Sequence, residues 1–223
     1  MKKYFERIYN KGIDSFYNEL KESLKSNKKI FIVTANPETF MYGEKDDVIN
    51  NIILDKKTIV VPDGIGIVKA SNMLGYNIKE RIPGIDIATK LLEYGNELNK
   101  TIYFFGAKKE AVEKLVEKVK KDYPNLKIIG YTDGYVTNKD QIMDNISKLS
   151  PDIVLVALGI PYQEKLIYNN IDKFKKGIFV GVGGSFDVLS GCKKRAPKIF
   201  IKTNTEWLYR MIKEPKRIKR FYN

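Results

Sequence analysis

Short apolar segments rich in β-branched residues alternate with longer amphipathic segments along most of this 223-residue chain. Buried strands of a parallel sheet have nearly continuous apolar sequences, and each needs a crossover segment, usually a helix, before the next strand. The alternation therefore predicts an α/β fold with a doubly wound, mainly parallel, six-stranded Rossmann-like sheet. The predicted strands are residues 29–34, 58–62, 101–105, 127–131, 152–158 and 178–182.

Two of the amphipathic segments have the three-and-four spacing of helices that bury one face. Their apolar residues are Ile13, Phe16, Leu20 and Leu24 in the first, and Ala111, Leu115, Val116 and Val119 in the second. Prolines mark two further helix starts, because Pro37 follows a good N-cap residue, Asn36, and Pro161 is expected to occupy the same first helical position. These segments supply the predicted helical layers.

The last 31 residues carry most of the chain's net charge of +13. Residues 193–223 hold eleven Lys or Arg against two Glu, a net of +9, and their apolar residues fall on one helical stripe that includes Trp207. A basic amphipathic helix with an aromatic anchor suits an anionic membrane surface. We therefore predict a domain over 1–192 and an appendage over 193–223 that associates with the membrane and covers the active site; the alternative is that Trp207 and Leu208 dock on the domain.

Composition excludes several kinds of chemistry. The chain has no histidine and one cysteine, Cys192, so it has no Ser-His-Asp or Cys-His relay, and a general base is expected to be a carboxylate. The glycine patterns that begin at Gly64 and Gly181 lack their third glycine, and there is no P-loop sequence. Neither a metal site nor a cofactor is predicted. No apolar run is long enough to span a bilayer.

Unusual residues follow five of the predicted strands. In doubly wound sheets, ligands bind beyond the carboxyl ends of the strands. A single glycine or proline at such a position often only ends the strand, but five unusual exits indicate a binding cleft. The exits are residues 34–38, 62–66, 105–108, 159–164 and 181–187.

The ordered series of motifs resembles the WecG/TagA/CpsF glycosyltransferase family over about residues 30–221. The motifs are Asn36-Pro37-Glu38, Pro62-Asp63-Gly64-Ile65-Gly66, Arg81 to Asp86, Gly159 to Glu164, Gly181 to Asp187, Arg195-Ala196-Pro197 and the ending around Glu206-Trp207 and Glu214-Pro215. The order of the series is more specific than any motif within it. One departure is Asp133, at a position where many members of the family carry histidine.

The resemblance implies an inverting, metal-independent transferase. Its expected donor is a UDP-sugar, most simply UDP-N-acetylmannosamine, and its expected acceptor is polyprenyl-diphosphate-linked N-acetylglucosamine in teichoic-acid-type surface polysaccharide synthesis. UDP-N-acetylmannosaminuronate and UDP-glucose are alternative donors. The implied location is cytoplasmic, peripheral on the inner face of the cell membrane, and self-association into a homo-oligomer is compatible with it.

Asp63 is the predicted catalytic base, because it follows a strand directly and glycines after it leave its carboxylate uncovered. The resemblance places the family's base at this carboxylate. The alternative is that Asp63 is the N-cap of a helix beginning near Gly64.

The remaining predicted site residues hold the substrates. Arg81 could instead pair with Asp86, and Asn36 could simply cap its helix. The predicted substrate-binding residues are Thr34, Asn36, Arg81, Gln163, Arg210, Arg217 and Arg220, and the predicted nucleotide-binding residues are Gly106, Tyr135, Gly183, Gly184 and Asp187.

Two other classes of protein fit the composition less well. A basic tail could bind RNA phosphates, but its aromatic residues follow apolar stripes rather than being interleaved with the basic ones for base stacking. A methyltransferase-like α/β enzyme is the other class. We predict that the protein binds no nucleic acid. UDP should therefore raise its thermal stability more than single-stranded RNA or S-adenosylmethionine does.

Overall fold

A computed structural model describes residues 1–213, apart from the side chain of Arg210. The strands are β1 (Lys29–Ala35), β2 (Thr58–Pro62), β3 (Thr101–Gly106), β4 (Lys127–Thr132), β5 (Ile153–Ala157) and β6 (Gly177–Gly181). The helices are α1 (Lys2–Phe5), α2 (Ile13–Lys25), α3 (Pro37–Lys45), α4 (Asp47–Leu54), α5 (Ile65–Met73), α6 (Gly84–Glu97), α7 (Lys109–Asp122), α8 (Lys139–Leu149), α9 (Tyr162–Asn170), α10 (Ser185–Leu189), α11 (Lys198–Lys202) and α12 (Glu206–Lys213), with a 3₁₀ turn at Ile171–Lys173.

The six strands form one sheet in the order β2-β1-β6-β5-β3-β4, and every neighbouring pair is parallel. Each predicted strand is confirmed, with its ends shifted by no more than one residue. The last strand, β6, lies in the interior of the sheet between β1 and β5. The predicted doubly wound α/β fold is therefore confirmed.

Each face of the sheet carries its own apolar core. Along β1, Phe31 and Val33 belong to one core, whereas Ile32 between them belongs to the other. This alternation follows from the two-residue period of side chains along a strand. The first core includes residues of α1, α3, α4, α8 and α9, and the second includes residues of α2, α6, α7 and α10. Helices on both faces explain why the strands are apolar throughout.

The predicted helical faces are confirmed. α2 buries Phe16, Leu20 and Leu24. α7 buries Ala111, Leu115, Val116 and Val119. Asn36 caps α3, with Pro37 as its first residue. The prediction for the later proline is wrong by one position. α9 begins at Tyr162, and Pro161 is its N-cap residue.

The chain divides into two compact units, Met1–Cys192 and Lys193–Asn223. In the described part of the second unit, α12 leaves apolar side chains in solvent: Trp207 is 51% exposed, Leu208 39% and Ile212 65%. Arg195 and Glu206 approach each other within this unit, with 3.9 Å between Nε and Oε1. Among residues 1–213, no helix combines the length and apolarity needed to cross a bilayer.

Candidate active site

Asp63 follows β2 at the carboxyl edge of the sheet, and its carboxylate binds the start of a helix other than the one that follows it. Its Oδ1 accepts a hydrogen bond from the backbone N–H of Gly84, the first residue of α6, at 3.1 Å. The helix after Asp63, α5, has Gly64 as its N-cap and no side-chain cap. The alternative that Asp63 caps the helix immediately after it is therefore wrong. A helix N-terminus attracts a carboxylate, so Gly84 fixes this group where it stands.

Thr34 lies against the same part of α6 and links it to the neighbouring strand β6. A Cβ atom at Gly84 would lie 3.2 Å from Cγ2 of Thr34, so any larger residue there would have to push the Thr34 side chain away by a few tenths of an ångström. The Thr34 hydroxyl donates a hydrogen bond to the carbonyl oxygen of Gly181, at 3.1 Å, and the side chain is buried. Gly84 therefore contacts Asp63 through its N–H and lies against Thr34, which brings two predicted site residues to the same helix start.

Asn36 performs the capping role that the sequence left open. Its Oδ1 accepts from the N–H of Thr39 at 3.1 Å, and its own N–H donates to the Thr39 hydroxyl at 3.1 Å. Gly64 and Gly66 pack against this turn, since a Cβ atom at Gly66 would lie 3.2 Å from Pro37. Asn36 is therefore adjacent to the Asp63 loop, and its contact with substrate stays a prediction.

Gln163 is buried, and its amide connects two loops of the cleft. Its Oε1 accepts hydrogen bonds from the N–H of Gly159 at 3.1 Å and from the N–H of Gly183 at 3.0 Å. Its Nε2 donates to Oε1 of Glu164 at 2.8 Å. The amide predicted to bind a sugar thus orders the exits of β5 and β6, and a contact with substrate stays a prediction.

Glu164 was not predicted as a site residue. It is 1% exposed, and its Oε2 has no hydrogen-bond partner among residues 1–213. Burial raises the pKa of Glu164 to about 7, the Glu38 carboxylate adds to the rise, and the hydrogen bond from Gln163 opposes it. The only sequence signal was a carboxylate directly after Gln163 in the first turn of a helix that follows a strand exit.

The exits of β3 and β4 pack closely on β5. A Cβ atom at Gly106 would lie only 2.4 Å from the carbonyl oxygen of Ala157, and Gly106 has a φ of +128°. Gly134 donates its N–H to the Ala107 carbonyl at 2.8 Å. Asp133, the departure noted in the sequence, accepts from the N–H of Tyr135 at 2.8 Å and so shapes the turn that leaves Tyr135 exposed. Packing already explains Gly106, and nucleotide contacts there stay predictions.

A cavity of about 830 Å³ opens beside these exits. Gly134, Leu158 and Tyr162 line it together with Lys139 and Lys165. Lys139 donates to the Val136 carbonyl at 2.8 Å, and Lys165 pairs with Asp46. The concave surface at the carboxyl edge thus extends to the helices behind β4 and β5.

The remaining predicted residues lie around this edge or beyond the described part. Gly183 and Gly184 connect β6 to α10, and Asp187 lies in the first turn of α10. Arg81 is half-buried next to Ile82, whose N–H donates to the Pro62 carbonyl at 2.6 Å. The backbone of Arg210 lies in α12, but its side chain is outside the described structure, as are Arg217 and Arg220 entirely.

The site residues are ordered across the sheet edge. Asp63 follows the edge strand β2, Thr34 is the last but one residue of β1, Gly183 follows the interior strand β6, and Gly106 ends β3. β2 and β3 are four strand spacings apart, or about 19 Å. An edge of this length can take an extended ligand, with the carboxylate at one end and the glycine loops along the rest.

The fold and this edge are those of a Rossmann-like α/β protein whose ligand cleft lies at the carboxyl ends of its strands. The chain belongs to the WecG/TagA/CpsF family of glycosyl transferases, whose sequence profile matches residues 6–223.

Curated relatives agree with this membership. The chain is 41% identical over 213 residues to a protein of Bacillus subtilis strain 168, a match that covers 95% of this chain and 82% of the relative. It is 40% identical over 209 residues to a protein of Bacillus spizizenii, covering 93% and 81%. A Staphylococcus aureus protein is 36% identical over 197 residues, covering 88% and 77%. All three are named N-acetylglucosaminyldiphosphoundecaprenol N-acetyl-beta-D-mannosaminyltransferase.

Proposed function

We propose that this protein transfers N-acetylmannosamine from a UDP-sugar to N-acetylglucosamine carried on a polyprenyl diphosphate. The names of the relatives at 40 and 41% identity support the acceptor and the transferred sugar. The observation that carries the chemistry is the Asp63 carboxylate, held by Gly84 at a strand exit and next to Thr34.

Asp63 is the base in this proposal. As a hydroxyl oxygen of the acceptor bonds to the anomeric carbon, its proton passes to the Asp63 carboxylate. The bond between the anomeric carbon and the phosphate oxygen breaks, and its electron pair leaves with UDP. One such displacement inverts the anomeric configuration. The hydrogen bond from Gly84 holds the carboxylate ready for the proton, so little reorganisation is needed during transfer.

The leaving diphosphate needs donors that stabilise its negative charge. The backbone N–H of Gly184 and the guanidinium groups of Arg81, Arg210, Arg217 and Arg220 are proposed for this part, whereas the N–H of Gly183 is already bound to Gln163. The chain has no histidine, and the proposal needs no metal ion. Tyr135 and Asp187 are proposed to contact the nucleoside, beyond the glycine loops.

A lipid-linked acceptor requires the enzyme to work at a membrane surface. We propose that the second unit provides this contact on the inner face of the cell membrane. In support, α12 exposes Trp207, Leu208 and Ile212, and the segment 193–223 has a net charge of +9. Apolar side chains can enter the headgroup region while the cations attract anionic lipids.

The test is a transfer assay with a short-chain diphosphate-linked N-acetylglucosamine and a panel of UDP-sugars. We expect transfer from UDP-N-acetylmannosamine in preference to UDP-glucose and UDP-N-acetylmannosaminuronate. Asp63→Asn should keep the hydrogen bond from Gly84 but lower kcat by about 10² to 10⁴-fold, because the amide cannot accept the proton.

The control makes the same chemical change at Asp144, whose carboxylate pairs with Lys173 on the surface. Asp144→Asn should keep full activity. If Asp63→Asn turns over at the rate of the unmodified enzyme, Asp63 is not the base. If no UDP-sugar supports transfer, the proposed reaction is wrong.

A further inference from the structure

The side chain of Gln163 is held by three hydrogen bonds that we call the glutamine clasp: those from Gly159 N–H and Gly183 N–H to its Oε1, and the one from its Nε2 to Glu164. Gly159 follows β5, and Gly183 follows β6. One buried amide therefore joins two loops of the cleft that are separate in sequence.

The clasp works only with the amide in one orientation. The two backbone N–H groups are donors, so the amide oxygen must face them and the NH₂ group must face away. In the opposite orientation three donors would meet, and two partly buried N–H groups would lose their acceptor, which is costly. The carboxylate oxygen of Glu164 lies on the NH₂ side, at 2.8 Å. Glu164 thus accepts from the NH₂ group and, together with the two backbone donors, favours the correct orientation.

A reversed Gln163 amide would also disturb its contacts with the end of β6. A Cβ atom at Gly181 would lie 2.6 Å from Nε2 of Gln163, so the amide packs directly on the end of β6. The carbonyl of the same Gly181 accepts the hydrogen bond from Thr34. The clasp and the Thr34 contact therefore act on the same short segment of backbone.

Glu164 has no access to substrate, since it is 1% exposed. One oxygen serves Gln163, and the other has no partner within the described part of the chain. The charged group that acts on it from another element is Glu38, in the first turn of α3. The hydrogen bond from Gln163 is the property that distinguishes Glu164 from an apolar side chain of the same size.

We propose that Glu164 is a positioning residue, which orients the Gln163 amide and thereby holds the Gly159 and Gly183 loops in the geometry that receives the diphosphate of the donor. The identity of that ligand rests on the proposed function. The hydrogen-bond geometry of the two loops does not depend on the proposed function.

The experiment exchanges donor and acceptor between the two side chains. Gln163→Glu places two carboxyl groups against each other, which raises the pKa of the pair, so that they share one proton near neutral pH. The variant is therefore measured at about pH 9.5, where that proton is lost and two negative charges face each other. We expect this variant to lose protection from hydrogen exchange at residues 159 and 183 and to bind UDP at least about tenfold more weakly, the effect of a lost buried hydrogen bond. Glu164→Gln keeps an acceptor for Nε2 and should bind UDP within about threefold of the unmodified protein.

The double variant Gln163→Glu with Glu164→Gln is the decisive one. The new carboxylate still accepts from Gly159 and Gly183, and the new amide donates to it, so exchange protection and UDP affinity should return. Rescue also separates positioning from direct contact, because the NH₂ group of Gln163 is absent from the double variant. If Gln163→Glu does not fold, a folded double variant counts as rescue.

Two results would overturn the inference: a Gln163→Glu variant that matches the unmodified protein at about pH 9.5, or a double variant as impaired as the single one in exchange protection at that pH. Failure of the unmodified protein to bind UDP would instead count against the proposed function, because exchange at residues 159 and 183 is measured without ligand.

Discussion

Replacing Glu164 by glutamine should change how the stability of the protein depends on pH. Burial raises the pKa of Glu164 from 4.5 to about 7. The folded protein therefore keeps this proton up to about pH 7, whereas the unfolded chain releases it near pH 4.5. The stabilising contribution of the protonated group is full below about pH 4.5 and is lost as the pH rises through about 7.

The size of the effect follows from the shift in pKa. The shift corresponds to about 3 kcal/mol, of which about 2 to 3 kcal/mol falls between pH 5 and pH 8. Glutamine has nothing to titrate, so the free energy of unfolding of Glu164→Gln should rise relative to that of the unmodified protein by this amount across the interval. Any cost of burying the new NH₂ group is the same at every pH and cancels.

Urea unfolding of both proteins at a series of pH values measures this difference, because all other titrating groups are shared. Glu117→Gln, the same change on an exposed face of α7, is the control and should show no pH-dependent difference of this size. If the difference between Glu164→Gln and the unmodified protein is constant from about pH 5 to pH 8, the raised pKa, and with it the burial argument, is wrong.

Two further predictions concern packing at the nucleotide side and the second unit. Gly106→Ala should lower the free energy of unfolding by about 2 to 4 kcal/mol in urea titrations, because the new methyl group would meet the Ala157 carbonyl at 2.4 Å, whereas Gly75→Ala, at a positive φ with open space, should cost less. Trp207→Gln combined with Ile212→Gln should weaken sedimentation with anionic vesicles more than about tenfold, because two apolar side chains no longer enter the headgroup region; Met73→Gln, at an exposed apolar residue of the first unit, is the control, and equal binding by all three proteins would contradict the membrane proposal.

The strands were predictable because burial on both faces leaves a direct mark on the sequence. A run such as Ile153–Ala157 is apolar at every position, which only a strand covered on both faces requires over so short a length. The helix starts were predictable to the extent that one residue decides them. Asn36 with Pro37 specifies a start, whereas Pro161 fits both the N-cap and the first helical position, and the sequence did not distinguish them.

The sequence predicted where the candidate site lies better than it predicted which groups contact each other there. Strand exits identified Asp63, Thr34 and Gln163 as neighbours at one edge, because parallel topology alone brings such positions together. Which hydrogen-bond partner each polar group has depends on small differences in atomic position, and the spacing of residues in the sequence does not give these. The Asp63 contact with Gly84 and the roles of Gln163 and Glu164 needed the three-dimensional arrangement.

The interior place of β6 sets when the site can form during synthesis. Without β6, the sheet would consist of two separate pieces, β2 with β1 and β5 with β3 and β4. Thr34 must therefore wait for Gly181, 147 residues later, before it has its partner. Closing a contact of this range is slow compared with forming helices and neighbouring strands. A growing chain would thus carry Asp63 on one piece and the exits at Gly106 and Gly159 on the other, and it would complete the cleft only when β6, with its Gly183-Gly184 loop, pairs between them.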